Sequence, residues 1–243
     1  MDPRERLIVA LDVSSAEAAR KIVAAVGDSA HTYKVGMQLY TAEGPAIVRE
    51  LVSSGQRVFL DLKYHDIPST VAAAVREAAK LGVSMLTVHT SGSGRMLRGA
   101  VDAAQTVNPN LIVLGVTVLT SMDEVELGTI GIRGAVVDQV LRLAALAISN
   151  GCKGLVSSAR EAPALRKEFG SNFAIVTPGV RLAGSGHDDQ SRVVTPAEAI
   201  AAGASHIVVG RPITAAADPA AEARAILGQM IGQEQVQLSG VRA

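Results

Sequence analysis

The chain has 243 residues and a mass of 25.0 kDa, with 23 basic and 23 acidic side chains and therefore no formal net charge. The lack of a basic excess argues against a nucleic-acid partner, and no apolar run approaches the roughly 18 residues that suggest a membrane span. Hydrophobic residues make up 48% of the chain but aromatic residues only 2%, so aliphatic side chains must fill the core.

The N-terminal sequence starts with charged residues and runs directly into a strand-like segment, without the apolar core of a signal peptide. The single cysteine, Cys152, cannot form an internal disulfide, and we interpret it as a small, packed hydrophobic side chain. These features predict a cytoplasmic protein.

Short runs rich in Val, Ile and Leu alternate along the chain with longer, Ala-rich amphipathic segments. This alternation is typical of parallel strands joined by helices. Eight strands are predicted, at Leu7–Asp12, Thr32–Gly36, Arg57–Lys63, Met85–Thr90, Leu111–Thr120, Gly154–Ala159, Ala174–Val180 and His206–Pro212. Eight strand–helix units in about 250 residues predict an α/β fold of the (β/α)8 TIM-barrel type. An open, doubly wound sheet stays the alternative, because one sequence does not reveal closure.

No linker or low-complexity segment interrupts the pattern, so residues 1–243 are predicted to form a single domain. The polar tail from about residue 232 is predicted to be frayed. One connection is unusual, since the segment between Arg181 and Arg192 is polar and rich in glycine. Long loops of this kind within a compact domain are often lids or binding loops.

Charged residues mark the end of the third predicted strand. Because side chains alternate along a strand, Asp61 and Lys63 share one face at its C-terminal end, where the catalytic groups of a barrel lie. The other face is apolar, with Val58, Leu60 and Leu62. Lys34 and Asp12 hold equivalent places on the second and first strands, so four ionisable groups are predicted to meet at one mouth of the barrel. A structural ion pair between Asp61 and Lys63 is the alternative, which the cost of burying charge disfavours.

Asp66 follows Lys63 by three residues and precedes Ile67 and Pro68. An aspartate in this place is a favourable N-cap for a helix that begins near the proline. The residues alone support two interpretations of Asp66 equally: it only caps the helix, or it also takes part in the site.

Two segments after the seventh and eighth predicted strands suit an anionic ligand. They read TPGVR, from Thr177 to Arg181, and VGRP, from Val209 to Pro212. Each supplies a glycine for close backbone approach and an arginine for charge-assisted hydrogen bonds, and the corresponding loops of such barrels often bind phosphate. Either arginine alone is more often a solvated surface residue, but their paired occurrence predicts a phosphate site.

The histidines are weaker candidates. His89 ends the fourth predicted strand on its inward face, where a hydrogen-bonded core histidine is as good an interpretation as a functional one. His65, His187 and His206 lack the spacing of metal ligands. The sequence therefore predicts no metal site.

The stretch FLDLKYHDIPSTV, from Phe59 to Val71, resembles the signature of the orotidine 5′-phosphate decarboxylases. That signature is D-x-K-x-x-D, followed by Ile, by Gly or Pro, by any residue and by Thr. The resemblance extends to LDVS, YKVGMQLY, VTVLTSM, TPGVR and VVGRPI on the first, second, fifth, seventh and eighth strands. It thus covers nearly the whole chain and departs from the family at no motif position.

The resemblance implies decarboxylation of orotidine 5′-phosphate to UMP, the last step of de novo pyrimidine nucleotide synthesis, by a homodimer that uses no cofactor. It implies that Lys63 stabilises and protonates C6 of the pyrimidine as carbon dioxide leaves, with Asp61 near the departing carboxylate. Lys34 and Asp66 would complete a charged Lys–Asp–Lys–Asp array. Asp66, Ile67 and Thr70 would reach the active site of the neighbouring subunit.

The resemblance also implies a set of substrate contacts. The ribose contacts match Asp12, Lys34 and Thr70, and other substrate contacts match Thr120 and Pro178. The phosphate contacts match Arg181, Gly210 and Arg211, and the residue that bridges phosphate and base when the long loop closes matches Gln190.

Three other functions stay open. A Schiff-base aldolase would use Lys63 as a neutral nucleophile, whereas flanking Asp61 and Asp66 favour an ammonium group. A metal-dependent decarboxylase or epimerase would use Asp61 and Asp66 as ligands, and the lysine between them would repel the ion. A phosphate-binding or regulatory barrel without activity would leave the charged array unexplained.

Overall fold

A computed structural model describes residues 2–182 and 194–240, with side chains up to residue 232. Eight parallel strands form a closed barrel in sequence order, and the last strand pairs with the first. They are β1 (Leu7–Ala10), β2 (Thr32–Gly36), β3 (Arg57–Tyr64), β4 (Met85–His89), β5 (Ile112–Val116), β6 (Gly154–Val156), β7 (Ala174–Thr177) and β8 (His206–Val209). This closure confirms the predicted (β/α)8 barrel and excludes the open sheet.

Helices connect the strands and lie around the barrel. In chain order they are α1 (Pro3–Arg6), α2 (Ala16–Val26), α3 (Met37–Glu43), α4 (Pro45–Ser53), α5 (Pro68–Lys80), α6 (Gly94–Val107), α7 (Glu124–Thr129), α8 (Val136–Ser149), α9 (Ala162–Phe169), α10 (Pro196–Ala201), α11 (Arg211–Thr214) and α12 (Pro219–Gly240). Helix α12 includes the described part, residues 232–240, of the tail that the sequence predicts to be frayed. Among the helices described, none has the length and apolar character needed to cross a membrane.

Several strands end earlier than the sequence predicts. The fifth is predicted to reach Thr120 but ends at Val116, and the eighth is predicted to reach Pro212 but ends at Val209. In a closed barrel a strand can pair with both of its neighbours only over the short region that all eight strands share. Beyond that region the backbone leaves the sheet and leads into the next helix. Residues that the sequence places at strand ends therefore lie in the loops that form the mouth of the barrel.

The core has two parts, which correspond to the two faces of each strand. The barrel interior is a compact apolar cluster of Ile8, Ala10, Phe59, Met85, Leu114, Val176 and Val208. The opposite strand faces pack against the helices in a larger cluster that includes Leu7, Val9, Val58, Leu60, Leu86 and Val88. This alternation fixes which side chains at the strand ends point toward the axis of the barrel.

Cys152 lies in the larger cluster between the barrel and the helices and is 5% exposed. Burial raises the pKa of its thiol to about 12. The structure therefore confirms that this cysteine is a packed hydrophobic side chain, since a reactive thiol needs an accessible thiolate.

Candidate active site

The carboxyl ends of the strands surround a cavity of about 500 Å³. Its apolar floor belongs to the barrel interior and includes Ala10, Phe59, Val156, Val176 and Val208. The predicted site residues that line it are Asp12, Lys34, Asp61, Lys63, Thr120, Pro178, Arg181, Gly210 and Arg211. A pocket of this size, with an apolar floor and a charged wall, suits a small, polar, charged ligand.

The charged wall is a row of alternating acidic and basic groups from three adjacent strands. The Nζ atom of Lys34 lies 2.8 Å from Oδ1 of Asp12 and 3.8 Å from Oδ2 of Asp61. The Nζ atom of Lys63 lies 2.9 Å from both carboxylate oxygens of Asp61. The side chains of Lys34 and Asp61 are each only 12% exposed, so their charges depend on this pairing.

The backbone at Lys63 is irregular. Leu60 pairs with Leu86 and Tyr64 with Val88, so four steps along β3 match two steps along β4. Within this bulge Lys63 has a φ of 51°, in the left-handed region that an L-residue adopts only at a cost. Alternation predicts the face of Lys63 correctly. The residue nevertheless lies in a bulge next to the site and not in a regular strand.

Gly36 provides the space for one of the ion pairs. A Cβ atom at this position would lie 2.9 Å from Nζ of Lys34 and 3.3 Å from Oδ1 of Asp12. A larger residue would therefore displace the Lys34–Asp12 pair. This role is not visible in the sequence, because it depends on the spatial approach of the three residues.

Thr87 is a second residue that the sequence analysis missed. Its hydroxyl donates to Oδ1 of Asp61 at 3.0 Å and accepts from the backbone N–H of Lys63 at 2.9 Å. The side chain is fully buried. Its place in β4, between inward Met85 and His89, is the sequence signal that could have identified it.

The predicted phosphate-binding segments lie at the same cavity. Arg181 is buried, at 8% exposure, whereas Arg211 is exposed at the start of α11. Gly179, with a φ of 78°, has a conformation that favours glycine. A bridge between Val180 and Val194 joins the two ends of the predicted long loop. The predicted contact Gln190 lies outside the described residues.

Asp66, Ile67 and Thr70 are exposed and do not line the cavity of their own chain. Helix α5 begins at Pro68 with Ile67 as its N-cap residue, so the interpretation of Asp66 as the N-cap is wrong by one position. The reason is that proline occupies the first helical turn and makes its immediate neighbour the cap. The Asp66 carboxylate instead accepts from the backbone N–H of Ile67 at 2.6 Å.

Two histidines, His65 and His89, lie next to each other. His89 is half-buried, and its ring lies 5.5 Å from that of His65. Burial lowers the pKa of His89, with further lowering by His65 and Lys63 and an opposing contribution from Asp61. Within the described part of the chain, no three His, Cys, Asp or Glu residues are grouped as a metal site requires.

The model of the family described as "Orotidine 5'-phosphate decarboxylase / HUMPS family" matches residues 5–226, which include all eight strands. The chain belongs to this family.

Individual relatives agree over nearly the full length. An orotidine 5′-phosphate decarboxylase of Moorella thermoacetica is 49% identical over 236 residues, which cover 95% of this chain and 94% of the relative. One of Laribacter hongkongensis is 51% identical over 220 residues and 90% of each chain. The crystal structure of the decarboxylase from Lactobacillus acidophilus superposes with a TM-score of 0.83 at 38% identity, covering 93% of this chain and 99% of that one.

Proposed function

We propose that this chain decarboxylates orotidine 5′-phosphate to UMP without a metal or organic cofactor. The observation that carries the proposal is the row Asp12–Lys34–Asp61–Lys63 on the wall of a cavity that two arginines also line. The near full-length similarity to relatives named for this reaction supports the same activity. The reaction would serve pyrimidine nucleotide synthesis.

Lys63 supplies the chemistry in this proposal. Loss of carbon dioxide breaks the bond between C6 and the carboxyl carbon and leaves the electron pair on C6. An ammonium group beside that atom stabilises the developing charge and then gives it a proton. Lys63 afterwards regains a proton from solvent, and its 24% exposed side chain allows that exchange.

Asp61 and Lys34 hold this ammonium group in place. Asp61 contacts Lys63 through both carboxylate oxygens, and Lys34 balances the same carboxylate from the other side. The charged groups are thus arranged before the substrate arrives, so little reorganisation is needed during the reaction. In the proposed complex, Asp61 lies near the carboxylate that leaves.

Arg181 and Arg211 bind the phosphate group in this proposal. Both line the cavity, and both belong to the segments after β7 and β8 where barrels of this type often bind phosphate. Guanidinium groups match phosphate oxygens in charge and geometry. Binding of the remote phosphate, together with Pro178, Thr120 and Gln190, would hold the pyrimidine against Lys63.

The active form is proposed to be a homodimer whose subunits share their active sites. Asp66, Ile67 and Thr70 do not reach the cavity of their own chain, yet the family signature includes them. Ile67 is 64% exposed beside the exposed carboxylate of Asp66, an arrangement that suits contact with a second subunit. In the dimer Asp66 would complete the charged array, and Thr70 would contact the ribose. The cytoplasmic location stays a prediction.

The geometry disfavours the alternative chemistries. A Schiff-base lysine must be neutral, and the double contact of Lys63 with a carboxylate favours the ammonium form. For a metal site at Asp61, the ammonium group of Lys63 would stand beside the ion, because it lies 2.9 Å from both oxygens of that carboxylate, and it would repel a divalent cation.

The decisive experiment follows the loss of orotidylate absorbance in buffer treated with a chelator. The protein is produced in a host that lacks its own orotidine 5′-phosphate decarboxylase, and Lys63→Ala prepared in parallel is the control for contamination. We expect undiminished turnover by the unsubstituted protein and none by the variant. Activity that disappears with the chelator and returns with a divalent metal would exclude the cofactor-free mechanism, and no turnover at all would exclude the proposed function.

A further inference from the structure

The buried hydroxyl of Thr87 is a polar group beside the site to which neither the family signature nor the charged row gives a role. Thr87 lies in the middle of β4, at 0% exposure, and does not line the cavity. It therefore has no direct access to a bound substrate. Its two hydrogen-bond partners are nevertheless the two residues that carry the proposed chemistry.

The direction of both hydrogen bonds is fixed by the chemistry of the partners. A backbone N–H can only donate, so the hydroxyl of Thr87 accepts from Lys63 and uses a lone pair for this bond. Its single proton is then available for Oδ1 of Asp61, at 3.0 Å. The hydroxyl thus links the carboxylate to the backbone of the lysine that the same carboxylate contacts.

The backbone bond stabilises an unfavourable conformation. Lys63 has a φ of 51° inside the bulge between β3 and β4, so its N–H contacts a side chain on β4. Without the hydroxyl, that N–H would lose its partner in a part-buried setting and the left-handed conformation would lose a restraint.

The bond to Asp61 also differs from the other contacts of this carboxylate. Lys63 and Lys34 are both cations, and in the proposed reaction Lys63 gives up a proton. Thr87 is a neutral donor with no part in that transfer, so it can hold Oδ1 throughout the cycle. The contacts of Asp61 with Thr87 and with Lys34 both stay the same when the proton leaves Lys63, but of these two only Thr87 lies within hydrogen-bond distance, at 3.0 Å against 3.8 Å.

We infer that Thr87 is a positioning residue, whose hydroxyl holds the Asp61 carboxylate and the left-handed backbone of Lys63 in the arrangement that the decarboxylation needs. This inference rests on the proposed function. Thr87 acts through its two partners and is not a catalytic residue.

The test compares Thr87→Val, which keeps the shape and removes the hydroxyl, with Thr87→Ser, which keeps the hydroxyl. We expect Thr87→Val to lower kcat about 100-fold, since small displacements of reacting groups have effects of this size. KM and the dissociation constant of UMP should change less than about threefold, because the phosphate and ribose contacts are untouched. Thr87→Ser should retain kcat within about fivefold.

Thr32→Val is the matched control. Thr32 is also fully buried on a barrel strand, and its hydroxyl donates to the backbone oxygen of Glu5, away from the cavity. This variant makes the same substitution at another buried strand threonine, loses a part-buried hydrogen bond and should retain normal kcat. An equal fall of kcat in Thr32→Val and Thr87→Val, or normal kcat in Thr87→Val, would overturn the inference. If Thr87→Val does not fold, Thr87→Ala provides the same comparison.

Crystal structures of the variants separate this inference from the proposed function. Movement of the Asp61 carboxylate, or of the Lys63 backbone out of the left-handed region, in Thr87→Val but not in Thr87→Ser supports positioning even if the protein does not turn over orotidylate. An unchanged Asp61–Lys63 geometry in Thr87→Val overturns it, whatever the activity. Failure of the proposed function shows instead as absence of turnover in the unsubstituted protein.

Discussion

The two ends of the barrel are built from the same eight strands but hold their polar groups in different ways. At the carboxyl ends, Asp61 and Lys63 form an ion pair on the wall of an open cavity. At the amino ends, Thr32 and His206 are buried at 0% and 2% exposure, and the Thr32 hydroxyl bonds a backbone oxygen. Nδ1 of His206 has no hydrogen-bond partner among the described residues.

This difference separates residues that are proposed to support the chemistry from residues that support the fold. Charged groups at the mouth can exchange contacts with a ligand, because they are paired with each other and reached from the cavity. At the amino ends of the strands, burial keeps His206 neutral by lowering its pKa to about 4, with smaller contributions from Arg6 and Arg57. In barrels of this type the carboxyl end carries the activity and the amino end the stability.

The largest expected effect is that of Lys63→Ala at the mouth. Loss of both the proton donor and the cation should lower kcat more than about 10⁴-fold. Binding of UMP should change little, since the phosphate contacts remain, and calorimetric titration measures it. Lys21→Ala, which removes an exposed lysine paired with Glu17 on α2, should be fully active. Near-normal turnover by Lys63→Ala would contradict the mechanism.

The same variant tests whether subunits share the site. Inactive Lys63→Ala mixed with inactive Asp66→Ala should regain about a quarter of normal activity, because random exchange gives mixed dimers with one intact site each. A mixture that stays inactive after demonstrated subunit exchange would place Asp66 outside the partner's site.

A smaller effect is expected for Arg211→Ala at the rim of the cavity. Loss of its charge-assisted bonds should raise KM for orotidine 5′-phosphate up to about 100-fold. Turnover of orotidine, which lacks the phosphate, should be unaffected, and comparison of kcat/KM for the two substrates measures the difference. Arg224→Ala on the exposed side of α12 is the control. An equal loss with both substrates would show that Arg211 does not bind phosphate.

The smallest effect is expected at the amino ends of the strands, where His206 should make the stability depend on pH. Burial lowers the pKa of folded His206 to about 4 from its ordinary value of 6.5, so the unfolded chain binds more protons than the folded one as the pH falls below about 6.5. The free energy of unfolding is therefore not reduced by this group above pH 6.5, and it falls steadily as the pH is lowered from 6.5 toward 4. Between pH 7.5 and 5 the free energy of unfolding should fall by about 2 kcal/mol from this group.

Urea unfolding at the two pH values measures this fall, and His206→Gln should reduce it while kcat stays normal. His31→Gln, at a half-exposed histidine, is the control and should keep the fall of the unsubstituted protein. An equal fall in all three proteins would show that His206 does not carry the pH dependence.

Periodicity predicted much of the fold and part of the site. Alternation on β3 placed Asp61 and Lys63 on the inward face, because successive side chains of a strand point to opposite faces and the apolar residues identify the face that packs against the helices. It did not predict the bulge or the left-handed backbone of Lys63, which depend on pairing with β4. Thr87 was missed for the same reason, since its role arises from a contact between strands 26 residues apart in sequence.

The sequence by itself determined the alternation of strands and helices, the inward face of the charged residues and the family signature from Phe59 to Val71. These are local properties, set by side-chain periodicity and by the order of residues along a single segment. Only the tertiary structure decided that the sheet closes, that Asp66 stands outside its own cavity and that Thr87 holds Asp61 and Lys63. Those features depend on distances between segments far apart in the chain, which barrel closure fixes and local sequence does not encode.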